Sequence, residues 1–311
     1  MSLRILKTGP QCSVQDLGRF GASQWGVPVG GVMDIPALLV GNLLVGNAPE
    51  LAALEVTLGG LHVRFQSDAV IALTGAWVPA TLDKQPLPCW RSVPVRKGQT
   101  LALGWAEQGA RSYLCVSGGI DVPIVLNARA TDLASGFGGF EGRALKVGDI
   151  LPLGVWDGHA PQASVRAPER GEVLRILPGT EWTAFSQAAQ KALVSEPWRV
   201  TPDANRMGAW LAGPDLGLDP PLDLPSHSVQ RGVIQVPPSG QPVLLLPDAQ
   251  TTGGYPKIAQ VIRADIWRMG QFRPGDSIRF VEVTMPQALA ALQAQRQWLV
   301  QIENQLKWRI Q

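Results

Sequence analysis

Three stretches share one grammar: VRKGQTLALG at Val95–Gly104, LKVGDILPL at Leu145–Leu153 and FRPGDSIRFVE at Phe272–Glu282. Each runs from an apolar residue through a basic one to a glycine, then a polar residue and an alternating or apolar run. A glycine before an alternating segment marks a turn entering a strand, because alternation puts successive side chains on opposite faces of a sheet. Similar segments surround them: LHVRF, AVIALTG, RSYLCVSGG, VLRILPG, GVIQVPP and PVLLLPD. Their lengths and β-branched content fit the strands of barrels or sandwiches, and the 34 glycines and 26 prolines, about a fifth of the chain, supply turns to join them. The recurrence on both sides of the chain's middle points to a duplicated barrel.

Between the two halves lies WDGHAPQASVRAPERGE, Trp156–Glu172, polar, proline-containing and without either period, which reads as a linker. The expected domains are therefore 1–165 and 166–311, within the size range of ordinary domains. Helical pattern is expected in four places: after Asp34, after Thr180, from Tyr255 through Gln271, and in the C-terminal tail. In the tail, Thr284 and Gln287 have capping-box spacing with Pro286 in the first turn, where its missing N–H does no harm. Ala288, Leu292, Gln295, Leu299, Ile302 and Leu306 then recur in steps of four and three, a stripe suited either to its own domain or to a partner chain.

Charge narrows the function. With 27 Lys and Arg against 25 Asp and Glu the formal charge is +2, and no block of like charge occurs, so neither nucleic acid nor an anionic membrane is an expected partner. Cys12, Cys89 and Cys115 are too far apart for a zinc ribbon and odd in number, which fits a reducing cytoplasm, and no apolar run approaches a membrane span. No phosphate loop, dinucleotide fingerprint or nucleophile elbow is present. His62, His159 and His227 stand apart in sequence, so no metal-ligand set is expected.

Polar residues in glycine-rich settings carry the remaining chemistry, since glycine lets backbone approach a ligand closely. SVQDLGRFG holds Gln15 and Arg19; Arg19 matches a carboxylate or phosphate bidentately, or else pairs with Asp16. Asp34 stands before an apolar run as a helix cap or as a catalytic carboxylate. VSGGIDVPIVLNARATD and GFGGFEGR bring Arg129 beside paired glycines, in an anion loop or in hairpin turns, and ANRMG contributes Arg206. The richest stretch is PVLLLPDAQTTGGYPKI: Asp248 follows a strand as a general base or magnesium contact, Gln250, Thr251 and Thr252 suit an amide-like ligand, and Tyr255 and Lys257 follow the glycines.

Together TGPQCSVQDLGRFG, GVMDIPALLVGNLLVGN, LEVTLGG, GGIDVP, GGFEGR, NRMG, IQVPPSGQPVLLLPDAQTTGGYPKI and ADIWRMGQFRPGDSIRF resemble, in order and over nearly the whole chain, the family that holds the C subunit of bacterial 5-oxoprolinases and the carboxyltransferase part of urea amidolyase. The resemblance implies a mainly β protein of two cyclophilin-like β-barrel domains in tandem, with a few helices and a C-terminal helix. It also implies two partners, the B and A subunits of 5-oxoprolinase, and an ATP-dependent opening of 5-oxoproline to glutamate. Phosphorylating the lactam oxygen first would turn a poor leaving group into a good one. In that chemistry Asp34, Asp248 and Gln250 are the expected catalytic residues. Gln15, Arg19, Thr251, Thr252 and Tyr255 would hold the small amide acid, and Arg129, Arg206 and Lys257 the phosphates of ATP with Mg2+. Two other functions stay open: a regulatory protein that antagonises a kinase-inhibitor partner, and a biotin-dependent carboxyltransferase acting on a urea-like amide.

Overall fold

The computed structural model describes residues 1–218, 220, 222 and 224–307. The fold is mainly β, with four α-helices among these residues: α1 (Ile35–Leu44), α2 (Gln187–Ser195), α3 (Ile266–Met269) and α4 (Met285–Lys307). Contacts divide the chain into two compact units, one of residues 1–20, 30–169 and 297 onward, the other of residues 21–29 and 170–296.

The first unit is built on two antiparallel sheets. One has six strands, in the order Ile150–Pro152, Ser2–Lys7, His62–Phe65, Thr100–Leu103, Ala80–Leu82 and Gln85–Pro86. The other has five: Gln11–Gln15, Ala53–Thr57, Gln108–Val116, Ala69–Trp77 and Ser92–Val95. Alternate residues of both, among them Leu3, Ile5, Val63 and Phe65 from one and Val14, Leu54, Leu73 and Leu114 from the other, form one buried core. The opposite face of the five-stranded sheet is covered too, because Ala53, Ala72, Tyr113 and Cys115 pack with Ala37, Leu38 and Leu44 of α1. A strand buried on both faces loses its alternation, which is why AVIAL at its start is an unbroken apolar run.

In the second unit seven strands close into a barrel: Val173–Pro178, Lys257–Val261, Val233–Gln235, Val243–Leu245, Gly208–Ala212, Trp198–Val200 and Ser277–Glu282. Closure comes from the parallel pairing of the first with the last, Leu174 opposite Phe280. Trp198, on one of these strands, is fully buried and donates its indole N–H to the Leu193 carbonyl of α2 at 3.0 Å. Beside the barrel, His227–Ser228 and Thr252–Gly253 form a two-stranded ladder.

The three recurring turns are alike in detail. Gly98, Gly148 and Gly275 have φ of 93°, 96° and 94°, the left-handed region open to glycine. The next residue, Gln99, Asp149 or Asp276, donates its backbone N–H to the carbonyl two residues before the glycine. Its side chain in turn accepts from the N–H of that same residue, Arg96, Lys146 or Arg273, at 2.7–2.8 Å. One turn chemistry, used three times, is therefore written in the basic-x-Gly-polar signature.

Two helix expectations changed. The segment from Tyr255 is a strand, Lys257–Val261, followed by the four-residue α3, because it pairs on both sides within the barrel and is buried for that reason. A short buried run of this kind has no period that separates strand from helix. After Thr180 a 3-10 turn at Trp182–Ala184 precedes α2, which starts only where Ser186 caps the N–H of Ala189 at 3.1 Å. The C-terminal helix forms as its capping box requires, Thr284 N–H donating to Gln287 Oε1 at 2.8 Å. Its stripe is used within the chain: Ala288 and Leu292 pack with Ile262 and Ala264, Gln295 donates to the Ala264 carbonyl, and Leu299, Ile302 and Leu306 join the cluster around α1.

Candidate functional site

In the first unit the expected residues are drawn together by backbone contacts. Gln15 is fully buried and donates to Ser13 Oγ and the Thr131 carbonyl, both at 3.1 Å. Arg19, also fully buried, donates to the Ala130 carbonyl and lies 4.7 Å over the Phe137 ring. Asp16 does not pair with it; its two oxygens instead accept from the N–H groups of Gly18 and Arg129. Arg129 donates from Nε to the Val122 carbonyl and from Nη2 to Asp121 Oδ1, both at 2.9 Å. The loops VQDLGRF and NARATD are thus clasped to one another.

Asp34 caps α1, accepting from the N–H of Ala37 at 3.0 Å. Its own N–H donates to the Tyr113 hydroxyl at 2.9 Å, and that hydroxyl donates to Glu55 Oε2 at 2.8 Å. The same oxygen accepts from Met33 N–H at 2.9 Å, while Arg111 stands 3.8 Å from the other. Burial first, and then the Glu55 carboxylate, push the Tyr113 phenol well above its ordinary value, so it stays protonated as a donor. Sequence reasoning passed over Glu55 and Tyr113. The signal for Glu55 was a lone carboxylate in ALEVT, a strand otherwise without charge and almost wholly buried.

In the second unit Asp248 and Arg206 form a bidentate pair: Nε donates to Oδ2 at 2.7 Å and Nη2 to Oδ1 at 2.9 Å, with both side chains about one-twentieth exposed. Gln250 lies exposed on the loop and Thr252 exposed in the two-stranded ladder, Thr251 accepts from Val229 N–H through its carbonyl, and Tyr255 is half-exposed with its carbonyl accepting from Gln235. Lys257 is different. It is buried and lines a cavity of about 480 Å³ together with Thr180, Glu181, His227, Ser228 and Gln230.

Glu181 and His227, neither expected from sequence, meet at its ammonium. Nζ lies 3.0 Å from Glu181 Oε2, which also accepts the Lys257 backbone N–H at 2.8 Å, and it contacts His227 Nε2. The Pro225 carbonyl sits 2.9 Å from His227 Nδ1, so the proton belongs on Nδ1 and Nε2 is left to accept from the ammonium. Burial alone would raise the Glu181 carboxyl. The Lys257 N–H groups and the Thr180 hydroxyl outweigh it and hold the carboxyl below its ordinary value. The ladder that pairs His227 with Gly253 is what sets this histidine over Lys257.

A barrel protein with a small-molecule-sized cavity lined by a few convergent polar groups is the class that the fold and this geometry define. The family described as carboxyltransferase domain, subdomain A and B, matches residues 25–282, and the chain belongs to that family. It is 44% identical over 309 residues to the C subunit of the Escherichia coli 5-oxoprolinase, covering 99% of this chain and 98% of that one. To the C subunit of the Haemophilus influenzae 5-oxoprolinase it is 40% identical, covering 96% and 97% respectively. The crystal structure of the Kluyveromyces lactis urea amidolyase superposes with a TM-score of 0.89 at 29% identity, over 97% of this chain and 20% of that larger one. No helix among the described residues is long and apolar enough to cross a membrane.

Proposed function

We propose that this chain is one component of an ATP-dependent 5-oxoprolinase, acting with B and A partners, and that its barrel unit contributes the pocket in which the lactam is activated for opening to glutamate. The observation that carries this reading is Lys257, buried on the wall of a cavity sized for a small amide acid and held there by Glu181 and His227. The near full-length likeness to the two bacterial 5-oxoprolinase chains supports it. A lactam oxygen becomes a good leaving group only once phosphorylated, and a fixed ammonium beside it stabilises the charge that develops during transfer. ATP enters as co-substrate of the assembly.

The three cations expected to meet its phosphates each sit beside a carboxylate, Arg129 at Asp121, Arg206 at Asp248 and Lys257 at Glu181; Lys257 is the cation of this reading because it lines the cavity. Among the described residues no group of three His, Cys, Asp or Glu side chains could hold a metal ion, Asp34 caps a helix, and both Asp248 oxygens accept from Arg206, so no step is routed through Mg2+ on this chain. The test is ADP release by the chain assembled with its B and A partners, with and without 5-oxoproline. Release should depend on the lactam and fall about 100-fold in Lys257→Met, the scale of removing one donor from a developing oxyanion, with partial recovery in Lys257→Arg. An assembled wild type that releases ADP at the same rate without 5-oxoproline would overturn the proposal.

A further inference from the structure

The hydrogen-bonding capacity around Lys257 is not used up. An ammonium has three N–H donors, of which one goes to Glu181 Oε2 and one to His227 Nε2, leaving the third. A carboxylate has about four acceptor positions. On Glu181 the backbone N–H and the ammonium of Lys257 occupy two of them, both on Oε2, so acceptor capacity remains. With the His227 proton on Nδ1, the three side chains sum to zero charge: one cation, one anion and one neutral ring. A neutral cluster gives a free anion no net attraction. It does leave one donor beside one acceptor on the wall of a cavity.

We infer that Lys257 and Glu181 form a receptor for the edge of a cis-amide, the remaining ammonium N–H donating to its carbonyl oxygen and the Glu181 carboxylate accepting from its N–H. In a lactam or a urea the N–H and C=O lie on the same edge, so one molecule meets both partners. A trans amide carries them on opposite edges and meets one at a time. His227 is a positioning residue here, since it fixes the ammonium by accepting from it and touches the ligand only through it. Ser228 and Gln230 on the same wall are uncharged and leave the amide edge as the recognised feature. The inference rests on the lactam-opening reading for its biological ligand, but its chemistry can be tested without ATP or partners.

The probe is 2-pyrrolidone, titrated into the full chain by calorimetry or saturation-transfer NMR beside N-methyl-2-pyrrolidone, which lacks the N–H, and N-methylacetamide, which is trans. Both comparison ligands should bind about tenfold or more weakly, because each leaves a charged partner unsatisfied. Lys257→Met should lose 2-pyrrolidone to the same degree, with an unchanged circular dichroism spectrum showing that the variant folds. The wild-type comparison of the three ligands needs no variant at all. Equal binding of 2-pyrrolidone and its N-methyl derivative, or no saturable binding of 2-pyrrolidone at the highest concentration at which the chain stays folded, overturns the receptor while leaving lactam-dependent ADP release to stand on its own. Cis-amide selectivity in a chain whose assembled enzyme ignores 5-oxoproline would instead uphold the receptor and remove the proposed substrate.

Discussion

Replacing Asp248 with Asn should be a lesion of stability before it is one of chemistry. The side chains of Asp248 and Arg206 are 6% and 5% exposed and joined by two hydrogen bonds of 2.7 and 2.9 Å. An exposed ion pair contributes about 0–1 kcal/mol, but breaking a buried one by removing a partner costs about 3–5 kcal/mol, because the other charge stays in a low-dielectric site. Asn preserves the shape and removes the charge, so the Arg206 guanidinium faces a neutral amide. At about 2–4 °C per kcal/mol for a chain of this order of size, the melting temperature should fall by about 6–20 °C. The assay is thermal and urea unfolding followed by circular dichroism, with the urea slope unchanged. The double variant Arg206→Met/Asp248→Leu should recover most of the loss, since an apolar pair of similar volume often replaces a buried ion pair without penalty. Asp248→Asn melting within about 2 °C of wild type would refute this account of the pair. If the double variant folds and still releases ADP in the assembled enzyme, Asp248 is no general base; if it folds and is inactive, the catalytic role expected from sequence survives.

Two further outcomes follow from the fold. Gly275→Ala should cost about 1–2 kcal/mol, since a Cβ there meets no atom within 4 Å and the whole penalty comes from φ of 94°. Urea midpoints of Gly275→Ala, Gly148→Ala and Gly98→Ala should shift alike, and an unshifted midpoint would contradict the shared turn. The Glu181 carboxyl, held below its ordinary value in the folded chain, adds stability that is complete above the unfolded glutamate pKa of about 4.3 and is lost as pH falls through the folded one. The stability gap between wild type and Glu181→Gln should therefore be widest near neutrality and close in acid, as read from urea midpoints across pH; a gap that widens in acid would reverse the sign of the argument.

What could be read from sequence was local chemistry. The basic-x-Gly-polar turns, the cap at Asp34 and the box at Thr284 and Gln287 each complete their hydrogen bonds within a few residues, so spacing alone reveals them. The strand at Lys257–Val261 was hidden because its burial is imposed by neighbours on both sides. The polar cluster was hidden for a stronger reason: Lys257 is 76 positions from Glu181 and 30 from His227, and no local pattern joins them. The Arg206–Asp248 pair, 42 positions apart, was present in the expectations as two separate residues with two separate roles. Closure of the barrel makes them partners.

The stretch DAQTTGGYPKI shows how sequence composition and structural role part company. Its polar residues suggested ligand contacts, yet Gln250 and Thr252 lie exposed while the buried lysine at its end lines the cavity. Its two glycines answer to space. A Cβ on Gly253 would come within 2.9 Å of Gln235 Nε2, and one on Gly254 within 2.8 Å of the Leu224 carbonyl oxygen. Bare backbone at both positions lets the segment before His227 lie close enough to pair His227 with Gly253 and Ser228 with Thr252. That ladder carries the imidazole to the Lys257 ammonium, so the threonine and glycines of this loop act on the cavity through the histidine they position.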